Sequence, residues 1–255
     1  MPIGYRELAA RLRAAIEDGT YPQGTTLPKQ VDLAERYAVN VKTVRQAVSV
    51  LSGEGLVTPV RRRGTVVRAR PPMRRLGAER YAKSKWKFGG PVAFAADREA
   101  VGRPWQPGDQ TQTVTRTVAD DETAAALSIK PGDPVIERAR LVKEDGTPTH
   151  TLTSYYRAAD VEGTPLADPT PGPAGPGGGF QVLTLAGLEP HRMSETFHAR
   201  MPTPTELLSL PLPAGEPVVI LRRTTYTSDG RPVEFARGTH AGSRFTWTYE
   251  FDLPD

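Results

Sequence analysis

The strongest constraint on the fold is a repeated turn-strand-turn text in the C-terminal half. Lys130-Pro131-Gly132-Asp133-Pro134-Val135 opens one strand-like run, which ends at Asp145-Gly146-Thr147-Pro148. Pro213-Ala214-Gly215-Glu216-Pro217-Val218 opens another, which ends at Asp229-Gly230-Arg231-Pro232. Asp-Gly between two alternating runs is a tight hairpin signal, because both residues tolerate left-handed backbone. A short helical pattern precedes each unit. Asp121 to Leu127 turns Ala124 and Leu127 inward, and Thr203 to Leu208 carries Thr203 and Glu206 at capping-box spacing. The matching order predicts an internal duplication of a helix-plus-hairpin unit, rather than two ordinary hairpins that merely share turn chemistry. Its strands are Val135–Glu144 with Thr149–Tyr156, and Val218–Thr227 with Pro232–His240. Thr111–Val118, Arg192–Met201 and Phe245–Leu253 are expected to complete the sheet. The Pro- and Gly-rich stretch Asp168–Gly179 reads as a loop, and Gln181–Ala186 as helical or irregular.

The N-terminal part has a different rhythm. Tyr5 to Asp18 places Leu8, Leu12, Ala15 and Ile16 on one helical stripe, and Gly19 stops it. Lys29–Tyr37 is a second short helix. Asn40 caps a third, Val41–Leu51, whose stripe is Val44, Ala47, Val48 and Leu51. Lys42, Thr43, Arg45 and Gln46 lie on or near its opposite side. Leu56–Val60 and Thr65–Arg68 flank the basic turn Arg61-Arg62-Arg63-Gly64 as a hairpin. Three helices and a hairpin close a unit at residues 1–70. Arg70-Pro71-Pro72 begins a linker that runs with the start of the next domain over 71–90, and 91–255 forms that domain.

Charge follows the same division. Up to Arg75 there are 14 Lys and Arg against 6 Asp and Glu, a balance of +8; the remaining 19 against 23 gives −4. A basic end on a slightly acidic body fits a protein that meets a polyanion with that end. A solvated basic face is the plainer reading of charge alone. Without cysteine there is no disulfide framework and no thiolate metal site. His150, His191, His198 and His240 lack zinc-like spacing. No nucleophile-elbow text is present, and the glycines of 172–179 lack a P-loop lysine. No apolar run reaches bilayer length, and the charged N-terminus has no signal core. The expectation is a soluble cytoplasmic protein with no membrane association, no catalytic residues, no metal and no cofactor.

Leu27-Pro28, Leu33-Ala34, Thr43-Val44-Arg45, Leu51, Glu54-Gly55-Leu56-Val57 and Arg63-Gly64-Thr65 stand in an order that resembles the winged helix-turn-helix of the GntR family. Gly132-Asp133-Pro134-Val135-Ile136, Arg138 with Arg140-Leu141, Thr153-Ser154-Tyr155, Glu195-Thr196-Phe197, Gly230-Arg231-Pro232-Val233-Glu234 and Tyr249 with Phe251 resemble the UTRA effector domain of its HutC subfamily. The resemblance implies an α+β protein. A winged helix-turn-helix would precede an antiparallel-sheet domain similar to the chorismate lyase fold, with a ligand pocket where the duplicated halves meet. It also implies a ligand-responsive regulator, expected to be a repressor, that binds a palindromic double-stranded DNA operator as a homodimer.

The DNA contacts implied are Asn40, Lys42, Thr43, Arg45 and Gln46 at the recognition helix, Arg61, Arg62, Arg63, Gly64 and Thr65 at the wing, and Tyr5, Arg6 and Lys29 nearby. Three departures bear on the operator. Lys29-Gln30-Val31 replaces the family's Ser-Glu-Arg, Val41 replaces its arginine at the start of the recognition helix, and Arg62 replaces its wing glycine. An operator unlike the commonest GntR sites follows.

Arg138 and Arg140 share one face of a strand, so two guanidinium groups can grip a carboxylate or phosphate. With Glu195 and Glu234 they match the pocket positions of related domains; Thr153, Ser154 and Tyr226 are further candidates. The effector class implied is anionic: a sugar phosphate, a carboxylate or a nucleotide. The competing structural reading is an ion-pair ladder of these arginines with Glu137, Glu195 or Glu234. Two competing functions are an enzyme retaining lyase-type chemistry and a DNA-binding regulator that has lost its ligand. No acid-base constellation favours the enzyme, and the pair Arg138 and Arg140 speaks for a retained ligand.

Overall fold

A computed structural model of the protein describes residues 3–68, 73–76, 78–86, 106–144, 146–169 and 177–250. Two compact units emerge: Met1–Pro71 with Pro211–Pro217, and Pro72–Leu210 with Val218–Asp255.

The first unit holds helices α1 (Tyr5–Glu17), α2 (Gln30–Arg36) and α3 (Val41–Gly53), then the antiparallel hairpin β1 (Val57–Val60) and β2 (Gly64–Val67). Leu8 and Leu12 of α1, Leu33 of α2, and Val44, Ala47 and Leu51 of α3 bury against Val57 and Val67. Each large aliphatic side chain taken from water here contributes about 1.5–3 kcal/mol, which holds together helices too short to persist alone. The Asn40 carboxamide oxygen accepts from the Thr43 backbone N–H at 2.8 Å and starts α3, as its capping role requires. The buried positions 44, 47, 48 and 51 leave Lys42, Arg45, Gln46 and Ser49 on the exposed face. At the hairpin tip Arg62 has φ +66°, a left-handed conformation that costs a side-chain-bearing residue about 1–2 kcal/mol.

In the second unit β3 (Met73–Leu76) and α4 (Lys83–Trp86) precede β4 (Gln110–Val118), α5 (Asp121–Leu127), β5 (Pro134–Glu144) and β6 (Thr147–Arg157). Then follow α6 (Ala158–Val161), α7 (Gly178–Leu185), β7 (Arg192–Arg200), α8 (Pro204–Ser209), β8 (Val218–Tyr226), β9 (Pro232–Ala241) and β10 (Phe245–Thr248). Six strands form one antiparallel sheet in the order β4-β5-β6-β9-β8-β7. This order mirrors itself about the β6–β9 junction. Each half is strand, helix, hairpin, so the duplication extends to the strand before each helix.

Two details differ from the sequence expectation. First, β10 does not complete the sheet: after β9 the chain turns through Gly242–Arg244, and β10 pairs in parallel with β3. The cause is aromatic packing. His150 and His240 stack with ring centroids 4.8 Å apart, and Phe245 sets its edge against both at 5.1 and 4.9 Å. Second, the end of the expected loop Asp168–Gly179 is helical, because α7 already begins at Gly178. Residues 251–253 of the expected last strand lie outside the described residues, as do the linker positions 69–72, Asp145 of the first turn, and 170–176 of the expected loop. Among the described residues no helix is long and apolar enough to cross a membrane.

Candidate nucleic-acid interface and effector site

In the first unit α3 presents Lys42, Arg45 and Gln46 on its exposed face, one turn or less apart. Arg45 Nε donates to Gln30 Oε1 at 3.2 Å, which ties this face to the start of α2, where Lys29 is the cap residue. Thr43 is half-buried and closes the cap with its own hydroxyl, donating to Asn40 Oδ1 at 3.1 Å. Asn40 and Thr43 therefore build the helix start as well as standing at it. Tyr5 and Arg6 open α1, with the Arg6 guanidinium 5.7 Å from the Tyr5 ring centre. Arg61 and Arg62 are exposed at the wing tip, whereas Arg63 folds back and donates to the Gly24 carbonyl at 3.0 Å. Gly64 and Thr65 belong to the β1–β2 ladder, and the Thr65 carbonyl accepts from Leu27 N–H at 2.8 Å.

In the second unit the register builds the site. Directly opposed residues run Val114, Arg138, Ser154, Ala236, Arg223, Glu195 from β4 to β7. A flanking row reads Gln112, Arg140, Leu152, Gly238, Leu221, Phe197, so Arg140 shares the face of Arg138. Two residues the other way, Thr225 opposes Glu234 on the same face. Arg138, Arg140, Ser154, Glu195 and Glu234 are thus gathered on one side of the sheet. Thr153 is not. It pairs with Ala139 and Arg237 on the other side, where Arg237 reaches Asp120 and Thr123 at α5. Tyr226 sits past a register shift beside Thr225 and stacks with Arg192 at 3.9 Å instead.

Glu234 is the hub of the face. Its carboxylate accepts from Ser154 Oγ at 2.7 Å, Tyr156 OH at 3.1 Å, Thr225 Oγ1 at 3.1 Å, and Arg223 Nη2 at 3.1 and 3.0 Å. Burial pushes this carboxyl up, but Arg223, Ser154 and Arg140 outweigh it and hold it below the usual carboxylate range. Burial, aided by the Glu234 charge, raises the Tyr156 hydroxyl, which stays a neutral donor. Arg223 in turn donates to Tyr81 OH at 3.3 Å, and Tyr81 donates to Glu195 at 2.8 Å. Tyr249 donates to the other Glu195 oxygen at 2.8 Å. Arg138 donates to Gln112 Oε1 at 2.7 Å and to the Pro165 carbonyl at 3.3 Å. Arg140 donates to Ser154 Oγ and to the Leu152 carbonyl. Burial lowers the pKa of both Arg138 and Arg140, yet arginine keeps its charge.

Sequence patterns alone do not single out Arg223, Thr225, Tyr156 or Tyr81 as site residues. A signal for Arg223 lies in the duplication: the offset of 83 residues that carries Gly132 to Gly215 carries Arg140 to Arg223. The tyrosines leave no comparable mark. Among the described residues no group of three His, Asp or Glu side chains is placed to hold a metal ion.

Residues 4–67 match the bacterial regulatory proteins of the gntR family, and residues 105–246 match the UTRA domain. The uncharacterized HTH-type transcriptional regulator SCO4628 of Streptomyces coelicolor is 52% identical over 251 residues, covering 98% of this chain and 93% of its own. The histidine utilization repressor of Pseudomonas putida is 27% identical over 244 residues, covering 94% and 88%. A solved structure assigned to the GntR-family regulators has a TM-score of 0.67 at 29% identity over 98% of each chain. PhnF from Mycolicibacterium smegmatis shares the fold, with a TM-score of 0.58 at 22% identity over 99% of this chain and 100% of its own. The sheet order, the three helices with a wing and these similarities converge: the chain belongs to the GntR family of bacterial transcriptional regulators and carries the helix-turn-helix plus UTRA architecture of the HutC subfamily.

Proposed function

We propose that this regulator is a cytoplasmic homodimer that represses transcription at a palindromic operator and releases it when a small anionic effector binds the arginine face of the UTRA domain. The observation that carries the effector class is Arg140. Its guanidinium is bonded to a carbonyl and a hydroxyl and has no carboxylate partner among the described residues, while the Glu234 carboxylate is taken by Arg223. A half-buried cation whose own hydrogen bonds go to neutral acceptors, and which meets Glu234 only through Ser154, is stabilised further by an arriving carboxylate or phosphate, and Arg138 on the same face adds a second fork. Sugar phosphates, carboxylates and nucleotides all carry such a group.

On the DNA side, the exposed face of α3 fits the major groove, with Lys42, Arg45 and Gln46 toward the bases. Arg61 and Arg62 at the wing tip supply phosphate contacts. A single winged helix touches few base pairs, so a two-fold dimer on two half-sites doubles the contact. The effector acts by binding two arrangements of the dimer unequally, and by reciprocity the operator must alter effector affinity by the same factor.

The test begins with a thermal-shift screen of sugar phosphates, carboxylates and nucleotides, since a ligand of the folded state raises its melting temperature. Operator affinity is then measured by fluorescence anisotropy for wild type and Arg140→Ala, with and without the hit. Loss of ligand response with operator binding intact is the expected result. Full ligand response in the variant would place the effector elsewhere.

A further inference from the structure

The DNA-binding unit is completed by a segment from the far half of the sequence. Pro211–Pro217, the turn between α8 and β8, belongs to the same compact unit as α1, α2, α3 and the wing. Its counterpart in the first repeat, 83 residues earlier, is the turn Lys130-Pro131-Gly132-Asp133 ahead of β5. Both turns close alike. Asp133 N–H donates to the Lys130 carbonyl at 3.1 Å and Glu216 N–H to the Pro213 carbonyl at 3.2 Å, with Gly132 at φ +89° and Gly215 at φ +78°. Their carboxylates part ways. Asp133 Oδ2 accepts from the Lys130 backbone N–H at 2.8 Å, so the first turn satisfies its own acid. In the second turn the equivalent of Lys130 is Pro213, which has no N–H to give, and the acid is one methylene longer.

Glu216 turns outward to Arg68, the residue that follows β2. The two form an ion pair whose side chains are 2% and 10% exposed. Charges buried to this degree persist only when paired. Arg68 is fixed at the root of the wing, where its N–H donates to the Leu56 carbonyl at 2.9 Å. Its guanidinium lies against Gly55, on which a Cβ would stand 2.9 Å from Arg68 Nη1.

Gly215 makes the second contact. It lies against the end of α3, so closely that a Cβ on it would overlap the Gly53 carbonyl oxygen. Only glycine combines that approach with its positive φ. The turn therefore touches the two places from which the DNA-reading elements project: the last residue of α3 and the base of the β1–β2 hairpin. On its other side Pro217 runs directly into β8, whose Arg223 and Thr225 both donate to Glu234.

We infer that this turn is a coupling element of the regulator: the Arg68–Glu216 pair and the seat of Gly215 on Gly53 tie the bases of α3 and the wing to the position of β8. The inference rests on the reading that the domain holding β8 controls operator binding. A strand anchored at one end in the Glu234 network and at the other to the base of the recognition helix cannot shift along its length without carrying that base with it. Linkage makes the effect reciprocal, so DNA that fixes α3 and the wing must restrain the turn and β8 in return.

The probe is operator DNA, recovered by in vitro selection from a random duplex pool, so no effector is needed. Amide hydrogen exchange of the full-length regulator is followed by mass spectrometry with and without saturating operator. In the wild type, operator is expected to slow exchange across 211–222 by about fivefold or more, the lower end of ordinary allosteric coupling. Glu216→Gln removes the charge of the pair, and Gly215→Ala drives the turn off Gly53. In each variant the slowing across 211–222 should fall below about twofold, while α3 and the wing stay protected by the bound DNA. A pair that only adds stability would lower the melting temperature of the variants and leave the slowing intact. That result in either folded variant overturns the inference, as does wild-type exchange across 211–222 that ignores the operator. Melting curves by circular dichroism identify a variant that fails to fold, and the other then carries the test. A pool that yields no bound duplex removes the operator reading and the link with it, whereas a bound duplex that leaves 211–222 unchanged removes the link alone.

Discussion

Replacing Glu234 by Gln keeps the shape of the side chain and removes its charge. In the folded protein this carboxylate holds five hydrogen bonds and the buried Arg223 guanidinium. A glutamine has one acceptor oxygen, and because Arg223 Nη2 donates to both carboxylate oxygens the amide nitrogen confronts that donor in either orientation, together with Thr225 or with Ser154 and Tyr156. Removing one member of a buried, hydrogen-bonded ion pair leaves the other uncompensated, which costs about 3–5 kcal/mol. For a domain of this size each kcal/mol lowers the melting temperature by about 2–4 °C, so a drop on the order of 6–20 °C is expected. Trp86, Trp105 and Trp247 all lie beyond the helix-turn-helix sequence. Denaturant titration followed by tryptophan emission therefore reads the effector domain. The pH dependence has a definite sign. The folded carboxyl lies below its unfolded value, so its stabilisation is fully present above about pH 4.5 and is lost as pH falls through the folded value. The loss caused by Glu234→Gln should accordingly shrink as the medium is acidified through that range. A deficit under about 1 kcal/mol at neutral pH, or one that grows on acidification, would refute the account of Glu234 as the hub of this face.

Three other outcomes follow from the geometry. Arg45→Ala should weaken operator binding by about 1–3 kcal/mol, measured by anisotropy, with α3 intact because the Asn40 cap does not involve it. Arg62→Gly should stabilise the isolated fold by about 1 kcal/mol, since glycine takes φ +66° freely, while it lowers operator affinity and reduces the salt slope by about one; melting curves and salt titrations read the two effects. Gly177→Ala should shift tryptophan emission and destabilise the effector domain, because the added methyl meets a backbone oxygen that has nowhere to yield; an unchanged spectrum would contradict the packing of α7 on Trp86.

The helices and hairpins were legible because each carried its own period or its own turn. The stripe Val44, Ala47, Val48, Leu51 fixed both the extent of α3 and the face it exposes, and Asn40 marked its start. Asp229-Gly230 fixed the β8–β9 hairpin in the same local way. Failures came where tertiary packing decides. The residues from Phe245 onward alternate like a strand, but nothing local tells a strand that pairs with β9 from one that packs its rings on stacked histidines and pairs with β3. Among site residues, Arg138, Arg140 and Ser154 could be placed on one face only by combining the two-residue period within a strand with the cross-strand register. The first is local and was available. The second is set by both hairpin turns together, so Thr153 and Ser154 could not be told apart before the register was known.

That register also bears on the two meanings the arginines had in the sequence. An ion-pair ladder requires carboxylates opposite the arginines on the same face. Glu137, one candidate, faces the other side, because it alternates with Arg138 along β5. Glu195 is held by two tyrosine hydroxyls, and Glu234 is bonded directly by the arginine of the second repeat, whereas Arg140 of the first reaches it only through Ser154. The ladder therefore exists, but it runs between Arg223 and Glu234 within the β8–β9 hairpin. The repeat-equivalent of Arg223 is Arg140, whose sheet neighbours Gln112 and Leu152 bring no charge. Duplication supplied two similar cationic positions; one acquired a carboxylate across its own hairpin, and the other kept a guanidinium bonded to neutral oxygens. The proposed effector site draws on both. The satisfied half fixes the face rigidly enough to hold a site within a few tenths of an ångström, and the half with neutral partners retains the electrostatic demand that an anion can meet.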